Sequence, residues 1–340
     1  MRRLAILALV LTACRGTEAL LQDGRSGWRR LPEAREEPPP YARWLRGVTV
    51  CLDPGHGGDA HRPGWKRGPT GVREAEANLG VARALREFLE RAGARAVLTR
   101  DADVDLPLVE RAATAKRCGA DFFLSIHHNA IDGRPAVNYT SVWYHAGADH
   151  SPPSLDLARH VLEGLREAIR AEDTLPCPLM SDFAIHPGQG FGVLRALEVP
   201  GVLSEASFHT NPEEERRLAL PAYQRREAWG HFLGIARYVA GGLPRAEPLP
   251  AGPAREVRFR LHDGLMERGG WTGDVRKVLA ESVRAWADGR ELEARYDPAS
   301  GVLALPPLAP GAAVTISFQN LFKNHNLRRR FVAGADGARG

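Results

Sequence analysis

The stretch Val48-Thr49-Val50-Cys51-Leu52-Asp53-Pro54-Gly55-His56-Gly57-Gly58 changes character halfway along. Its first half reads as a hydrophobic strand, and its second half as a tight, glycine-rich turn holding one histidine. Open α/β sheets take up ligands at the carboxyl ends of their strands, which puts His56 where a ligand would bind.

Two later runs repeat the pattern. The apolar run 122–126 leads directly into His127-His128-Asn129-Ala130, and Gly201-Val202-Leu203-Ser204 leads into Glu205. Glu74 stands just before the best helix, after a Gly- and Pro-rich loop at 57–71 that lets it bend back over the same edge. Two imidazoles and a carboxylate with an open fourth position form the ligand set of catalytic zinc hydrolases. Singly, each residue has a plainer account: a structural histidine, a carboxylate at a helix N-terminus, an ion-pair partner. Their conjunction at strand ends favours a site.

Outward from these runs, strands are expected at 48–52, 96–98, 122–126, 142–144 and 202–203. Leu79, Ala82, Leu85, Phe88 and Leu89 recur at helical spacing before Gly93, and weaker helices are expected at 108–116, 155–169 and 223–238. The order predicts an α/β fold, an open, mostly parallel sheet flanked by helices, over residues 47–242. Pro244, Pro248, Pro250 and Pro253 predict a linker without regular structure at 243–254. Two-residue alternation (Val257, Phe259, Leu261; Val314, Ile316, Phe318) then predicts a small all-β domain over 255–340, similar in a general way to immunoglobulin-like sandwiches. A chain of 340 residues fits two domains.

Before the first domain, Met1-Arg2-Arg3 and an apolar run have the form of a secretory signal too short to span a membrane. The run closes on Leu11-Thr12-Ala13-Cys14, which resembles a bacterial lipobox, so residues 1–14 are expected as a signal peptide and Cys14 as the lipidated residue. Residues 15–46 read as a polar tether. The location implied is secreted and lipid-anchored in the cell envelope, in the periplasm or outer membrane if the cell is Gram-negative. Cys51, Cys118 and Cys177 fit neither a zinc knuckle nor a disulfide framework, and buried, inert thiols are expected for the first two. The net charge of +5 is spread without a basic tract, so nucleic acid is excluded as the expected partner.

The chain resembles the zinc-dependent N-acetylmuramoyl-L-alanine amidases of the amidase type 3 family over residues 47 to about 240. Four motifs carry the resemblance in order: Asp53-Pro54-Gly55-His56-Gly57-Gly58; Glu74 with Asn78-Leu79; Ser125-Ile126-His127-His128-Asn129-Ala130; and the run from Glu205 through Phe208-His209-Thr210-Asn211 to Glu214. Leu98-Thr99-Arg100 and Arg111 match framework positions. The resemblance implies that His56, Glu74 and His127 ligate Zn2+ and that Glu205 is the catalytic carboxylate. It also implies hydrolysis of the amide between the lactyl group of N-acetylmuramic acid and L-alanine in peptidoglycan, with a zinc-bound water and Glu205 as general base. Peptidoglycan and the membrane are then the expected partners, and an activator protein a further one.

Departures from the family pattern mark where the reading is open. Ala75 replaces the usual lysine and makes Glu76 a rival to Glu74. His128 replaces a small residue and either lines the site or is exposed. The segment 170–194, with Cys177, His186 and Gln189, reads as a substrate wall or a flap. Competing functions are a wall-binding lipoprotein on an amidase scaffold and a zinc hydrolase of another wall amide.

Overall fold

The computed structural model describes residues 36–169, 178–265, 278–334 and 336–339. The signal segment, Cys14, the tether up to residue 35 and Cys177 lie outside the described residues. Among the described residues, no helix is long and apolar enough to cross a membrane.

The end of the expected tether belongs to the folded domain. Residues Pro40–Leu45 form a 3-10 turn whose Ala42 and Leu45 are buried in the core, and Glu36 pairs with Arg225 at 2.7 Å. Tyr41 and Trp44 pack against the same core, so apolar content overrides the polar composition of the stretch as a whole.

The α/β part then runs β1 (Thr49–Pro54), α1 (Glu74–Arg91), β2 (Arg95–Leu98), α2 (Leu108–Arg117), β3 (Phe122–Asn129), β4 (Ser141–Tyr144), α3 (Pro152–Ile169), β5 (Leu179–Ser181), α4 (Gly192–Arg195), β6 (Gly201–Phe208), α5 (Pro212–Leu218) and α6 (Pro221–Ala240). The six strands make one sheet in the order β2-β1-β3-β6-β4-β5. All neighbours are parallel except β4 and β6, which run antiparallel. The central strands β1, β3 and β6 therefore end at one edge, which is how three distant motifs come together. Both β3 and β6 extend past their apolar runs, so His127 and Glu205 sit within strands rather than in the loops after them.

Burial of apolar faces holds this arrangement. Val81, Leu85 and Phe88 of α1 and Phe232 and Ile235 of α6 are fully buried in one cluster with Leu52 and Leu124. At α3 against α6 the backbones themselves touch: a Cβ on Gly164 would lie 2.2 Å from Gly230 O, and one on Gly234 would lie 2.4 Å from His160 O. Only glycine permits that approach.

The second part is all-β. A four-stranded sheet ordered β11-β12-β8-β7 comprises β7 (Arg245–Leu249), β8 (Val257–His262), β11 (Arg295–Asp297) and β12 (Val302–Leu305). A five-stranded sheet ordered β10-β9-β13-β14-β15 comprises β9 (Arg284–Ala287), β10 (Arg290–Glu291), β13 (Ala313–Ser317), β14 (Arg330–Gly334) and β15 (Gly337–Arg339). Both are wholly antiparallel, and Phe259, Leu261, Leu303, Ile316 and Phe318 close a core between them.

The expected linker at 243–254 is corrected here. Five of its residues form β7, which pairs with β8 through Glu247 and Arg260. Pro248 is tolerated because β7 is at the edge of its sheet, where a missing N–H leaves no ladder bond broken.

The two parts are joined by side-chain amides. Asn324 Nδ2 donates to Tyr238 O and Gly242 O at 2.9 and 2.8 Å, and Asn320 Nδ2 donates to Gly241 O and Asp263 O at 2.7 and 2.9 Å. Three of these acceptors, the carbonyls of Tyr238, Gly241 and Gly242, lie at or just beyond the C-terminus of α6, where the helix supplies few donors of its own. Asn324→Ala would strip Gly242 O of its donor and leave Tyr238 O only the Gly241 N–H. It should lower stability by about 1–3 kcal/mol, read as a fall in denaturation midpoint, with the α/β part still folded by circular dichroism.

Candidate active site

β1 delivers the chain to Gly55 and His56, and His56 takes a left-handed conformation with φ 58°. Two buried arginines hold the turn. Arg111 donates to Asp53 Oδ1, Pro54 O and His56 O at 2.8 to 2.9 Å. Arg100 donates to Pro54 O and Gly55 O, and to Ala75 O in the first turn of α1, each at 2.8 Å. The β1 turn and the start of α1 are thus one unit.

Gly55 is required by the neighbour that lies on it. A Cβ there would stand 2.1 Å from His127 Cε1, so the imidazole packs directly on bare backbone. The strand β3 carrying His127 is irregular between His127 and Asn129, and its register sets His127 opposite Glu205 of β6. Glu74 is placed by its loop: its N–H donates to Lys66 O at 3.0 Å, and the buried Glu215 accepts from the N–H groups of Thr70 and Val72. Arg73 ties the same loop to Asp59 and Asp103.

The result is a compact group. His56, Glu74 and His127 each offer a ligand atom, all within 4.8 Å of one another. Glu74 Oε1 lies 3.0 Å from His127 Nδ1, and Glu74 Oε2 lies 3.1 Å from His56 Nε2. Glu74 Oε2 is buried with the His56 imidazole beside it, and Glu205 Oε2 is buried without a hydrogen-bond partner. Two imidazoles converging on one buried carboxylate, with every ligand atom within one ion's reach, make a donor set that fits a shared cation.

The electrostatics are divided between the two carboxylates. Burial alone would raise Glu74, but hydrogen bonds from His127 and His56 outweigh it and hold the group well below the usual carboxylate range. Glu205 is pushed well above that range, first by burial and then by the charge of Glu74, with the Lys66 ammonium opposing. Two neighbouring carboxylates pushed apart in this way are suited to different roles.

His128 is neither exposed nor part of the ligand group. It is buried behind the site, with Nε2 2.9 Å from Glu227 Oε2 and Nδ1 2.8 Å from Asn78 Oδ1. Asn78 Nδ2 donates to Gly55 O, which leaves its oxygen toward His128. Both ring nitrogens therefore face acceptors, the arrangement of an imidazolium. Burial disfavours that charge, but Glu227 outweighs it and raises His128 above its ordinary value. The His128 N–H donates to Glu74 Oε1 at 3.2 Å, so this buried pair steadies the central carboxylate.

The N-acetylmuramoyl-L-alanine amidase family model matches residues 50–237. The chain belongs to this family. Among its relatives is the N-acetylmuramoyl-L-alanine amidase AmiC of Escherichia coli O6:H1, 30% identical over 262 residues, covering 67% of this chain and 62% of that protein. The chain thus spans less than two thirds of that relative. A germination-specific N-acetylmuramoyl-L-alanine amidase of Bacillus subtilis is 29% identical over 214 residues, covering 58% of this chain and 83% of its own. Of solved structures, the amidase AmiC2 of Nostoc punctiforme aligns with 32% identity and a TM-score of 0.47, over 56% of this chain and 96% of that one.

Within the amidase domain, the rival Glu76 stands apart. Its side chain is 61% exposed and pairs with Arg73 at 2.8 Å, outside the cluster. Cys51 is buried, and burial followed by Cys118 raises its thiol, in keeping with an inert residue; Cys118 is half-buried. The part of 170–194 that is described folds around the buried Asp182, which accepts from Ala146 N and Phe191 N and pairs with His145; His186 and Gln189 are exposed. Sequence reading assigned no role to His209, although it lies inside the fourth motif. It is buried, with Nδ1 3.0 Å from His128 O and 3.9 Å from Glu74 Oε2. Tyr139 and Lys66, whose environments couple to Glu205, carried no sequence signal at all.

His231 lies under β6, with Nδ1 donating to Glu227 O at 3.2 Å and Nε2 2.9 Å from Ser204 Oγ. A carbonyl only accepts, so Nδ1 carries a proton. Burial dominates and lowers its pKa to about 4, against 6.5 when unfolded. The unfolded chain therefore binds the extra proton first, and stability present above pH 6.5 is lost as pH falls toward 4, by on the order of 3 kcal/mol. His231→Gln should flatten the stability curve in that window; parallel curves for the two proteins would contradict the assignment.

Proposed function

We propose that the chain hydrolyses the amide bond between the lactyl group of N-acetylmuramic acid and L-alanine in peptidoglycan. The observation that carries this reading is the convergence of His56, Glu74 and His127 beside Glu205, whose Oε2 is buried without a partner. Membership of the amidase family supports it, as do the four motifs that fall at the sheet edge. The catalytic domain is assigned to residues 47–242 and the accessory domain to 255–340.

His56, Glu74 and His127 would hold zinc, a fit supported by two imidazoles and one carboxylate whose ligand atoms lie within 4.8 Å of one another. When bound there, zinc polarises the scissile carbonyl and makes water more acidic. Glu205 accepts a proton from the attacking water as its oxygen bonds to the lactyl carbonyl carbon. The same carboxyl returns the proton to the departing nitrogen of L-alanine as the C–N bond breaks. Its burial and the nearby charge of Glu74 suit it to carry a proton between these steps. His128, Asn78 and the two arginines position Glu74 and His56 and take no part in bond making.

The lipobox-like residues ending at Cys14 support an enzyme lipidated at that cysteine and held at the envelope, where its polymer substrate lies.

Glu205→Gln should leave a folded protein with unchanged metal content whose peptidoglycan hydrolysis is slower by about 10²- to 10⁴-fold, the usual contribution of positioned proton transfer. Hydrolysis at the wild-type rate would remove Glu205 from the mechanism.

A further inference from the structure

Away from the sheet edge, a cavity of about 310 Å³ opens where the sandwich meets the amidase domain. The sandwich contributes Arg328, Arg329 and Arg330 to its lining, and the amidase domain contributes His145, His150 and Ser151. One carboxylate, Glu198, also lines it, and that group is engaged by Lys116 at 2.7 Å.

Elsewhere in the chain, buried or half-buried arginines are matched by acids, as Arg111 is by Asp53 and Arg225 by Glu36, or, like Arg100, are fully occupied by backbone carbonyls. Here three consecutive guanidiniums have no carboxylate within ion-pair distance among the described residues. Arg329 donates Nη1 to Asp149 O and His150 O at 2.9 and 3.1 Å, while its Nε is buried without an acceptor. Neighbouring groups register the same excess of charge. Burial and then Arg330 lower Arg329, with Asp149 opposing. Burial, then His145, Arg330 and Arg329, lower His150, again with Asp149 opposing. Arg329 is partly removed from water beside the like charges of exposed Arg328 and Arg330, and an anion between them would relieve the repulsion.

We propose that this interdomain cavity binds a phosphate group, free or as the ester of a small polyol, with Arg328 and Arg330 supplying the guanidinium forks and His150 and Ser151 further donors. Guanidinium planes match tetrahedral oxyanions through paired N–H groups, and a hydroxyl and an imidazole add single donors. The volume is at the lower end of small-molecule sites, roughly 300–1,000 Å³, which suits a phosphate with a few carbons and excludes a folded macromolecule. Because the lining comes from both domains, occupancy would also brace one against the other.

The test is calorimetric titration of the purified protein with inorganic phosphate and, separately, glycerol 3-phosphate, at constant ionic strength. Saturable binding is expected, with a rise in melting temperature that grows with ligand concentration. Equal affinity for the two probes identifies the free anion as sufficient, and tighter binding of glycerol 3-phosphate identifies the ester. Arg328 and Arg330 are exposed, so the double variant R328Q/R330Q should fold normally, keep its basal peptidoglycan hydrolysis and lose affinity tenfold or more. His150→Gln should weaken binding less. Absence of saturable binding to the wild type, or unchanged affinity in R328Q/R330Q, would overturn the proposal.

Discussion

The site depends on the buried carboxylate of Asp53. It lies at the end of β1 and accepts from Arg111 at 2.8 Å, from Thr99 Oγ1 at 2.6 Å and from Ser125 Oγ at 2.7 Å. Those donors come from α2, from the chain just after β2 and from β3. One side chain thereby fixes the carboxyl edge of three neighbouring strands, and through Arg111 the carbonyl of His56. Removing one partner of such a buried ion pair typically costs about 3–5 kcal/mol, because the other charge stays behind in a medium that solvates it poorly. The left-handed backbone of His56 persists because this network over-determines it.

A second layer acts on Glu74. Glu227, His128 and Asn78 form a buried polar chain that ends on the carboxylate and on Gly55 O. Orienting contacts of this sort fix a metal ligand's direction and basicity. The departure of His128 from the small residue usual in the family is therefore accompanied by an acid placed to receive it. Substituting one without the other would leave a buried charge unmatched.

Much of the first domain was legible in the sequence because its signals are local and physical. Apolar runs that stop at Asp53, His127 and Glu205 mark strands whose ends share an edge, and the Leu79 to Leu89 stripe marks α1. The short β5 was not legible, since three half-buried residues give no periodicity. Residues 245–249 were misread because proline content speaks of backbone donors and not of edge position. Among the site residues, the cluster of His56, Glu74 and His127 followed from motif placement, whereas the burial of His128 and His209 depends on partners 81 to 99 residues away in sequence. Pairings at that range leave no trace in local pattern. The interdomain arginines were equally silent, since Arg328 to Arg330 reads as a solvated charge run until the neighbouring surface is known.

The central claim is that the cluster at the edge of β1, β3 and β6 is a metal centre for amide hydrolysis. Its most direct test is to digest peptidoglycan with the purified protein, with and without a chelator and after zinc is restored, and to identify the new chain ends by mass spectrometry. The account predicts release of peptides beginning in L-alanine from intact glycan strands, abolished by chelation and recovered with zinc. Release that survives complete metal removal, or new ends other than L-alanine, would contradict it.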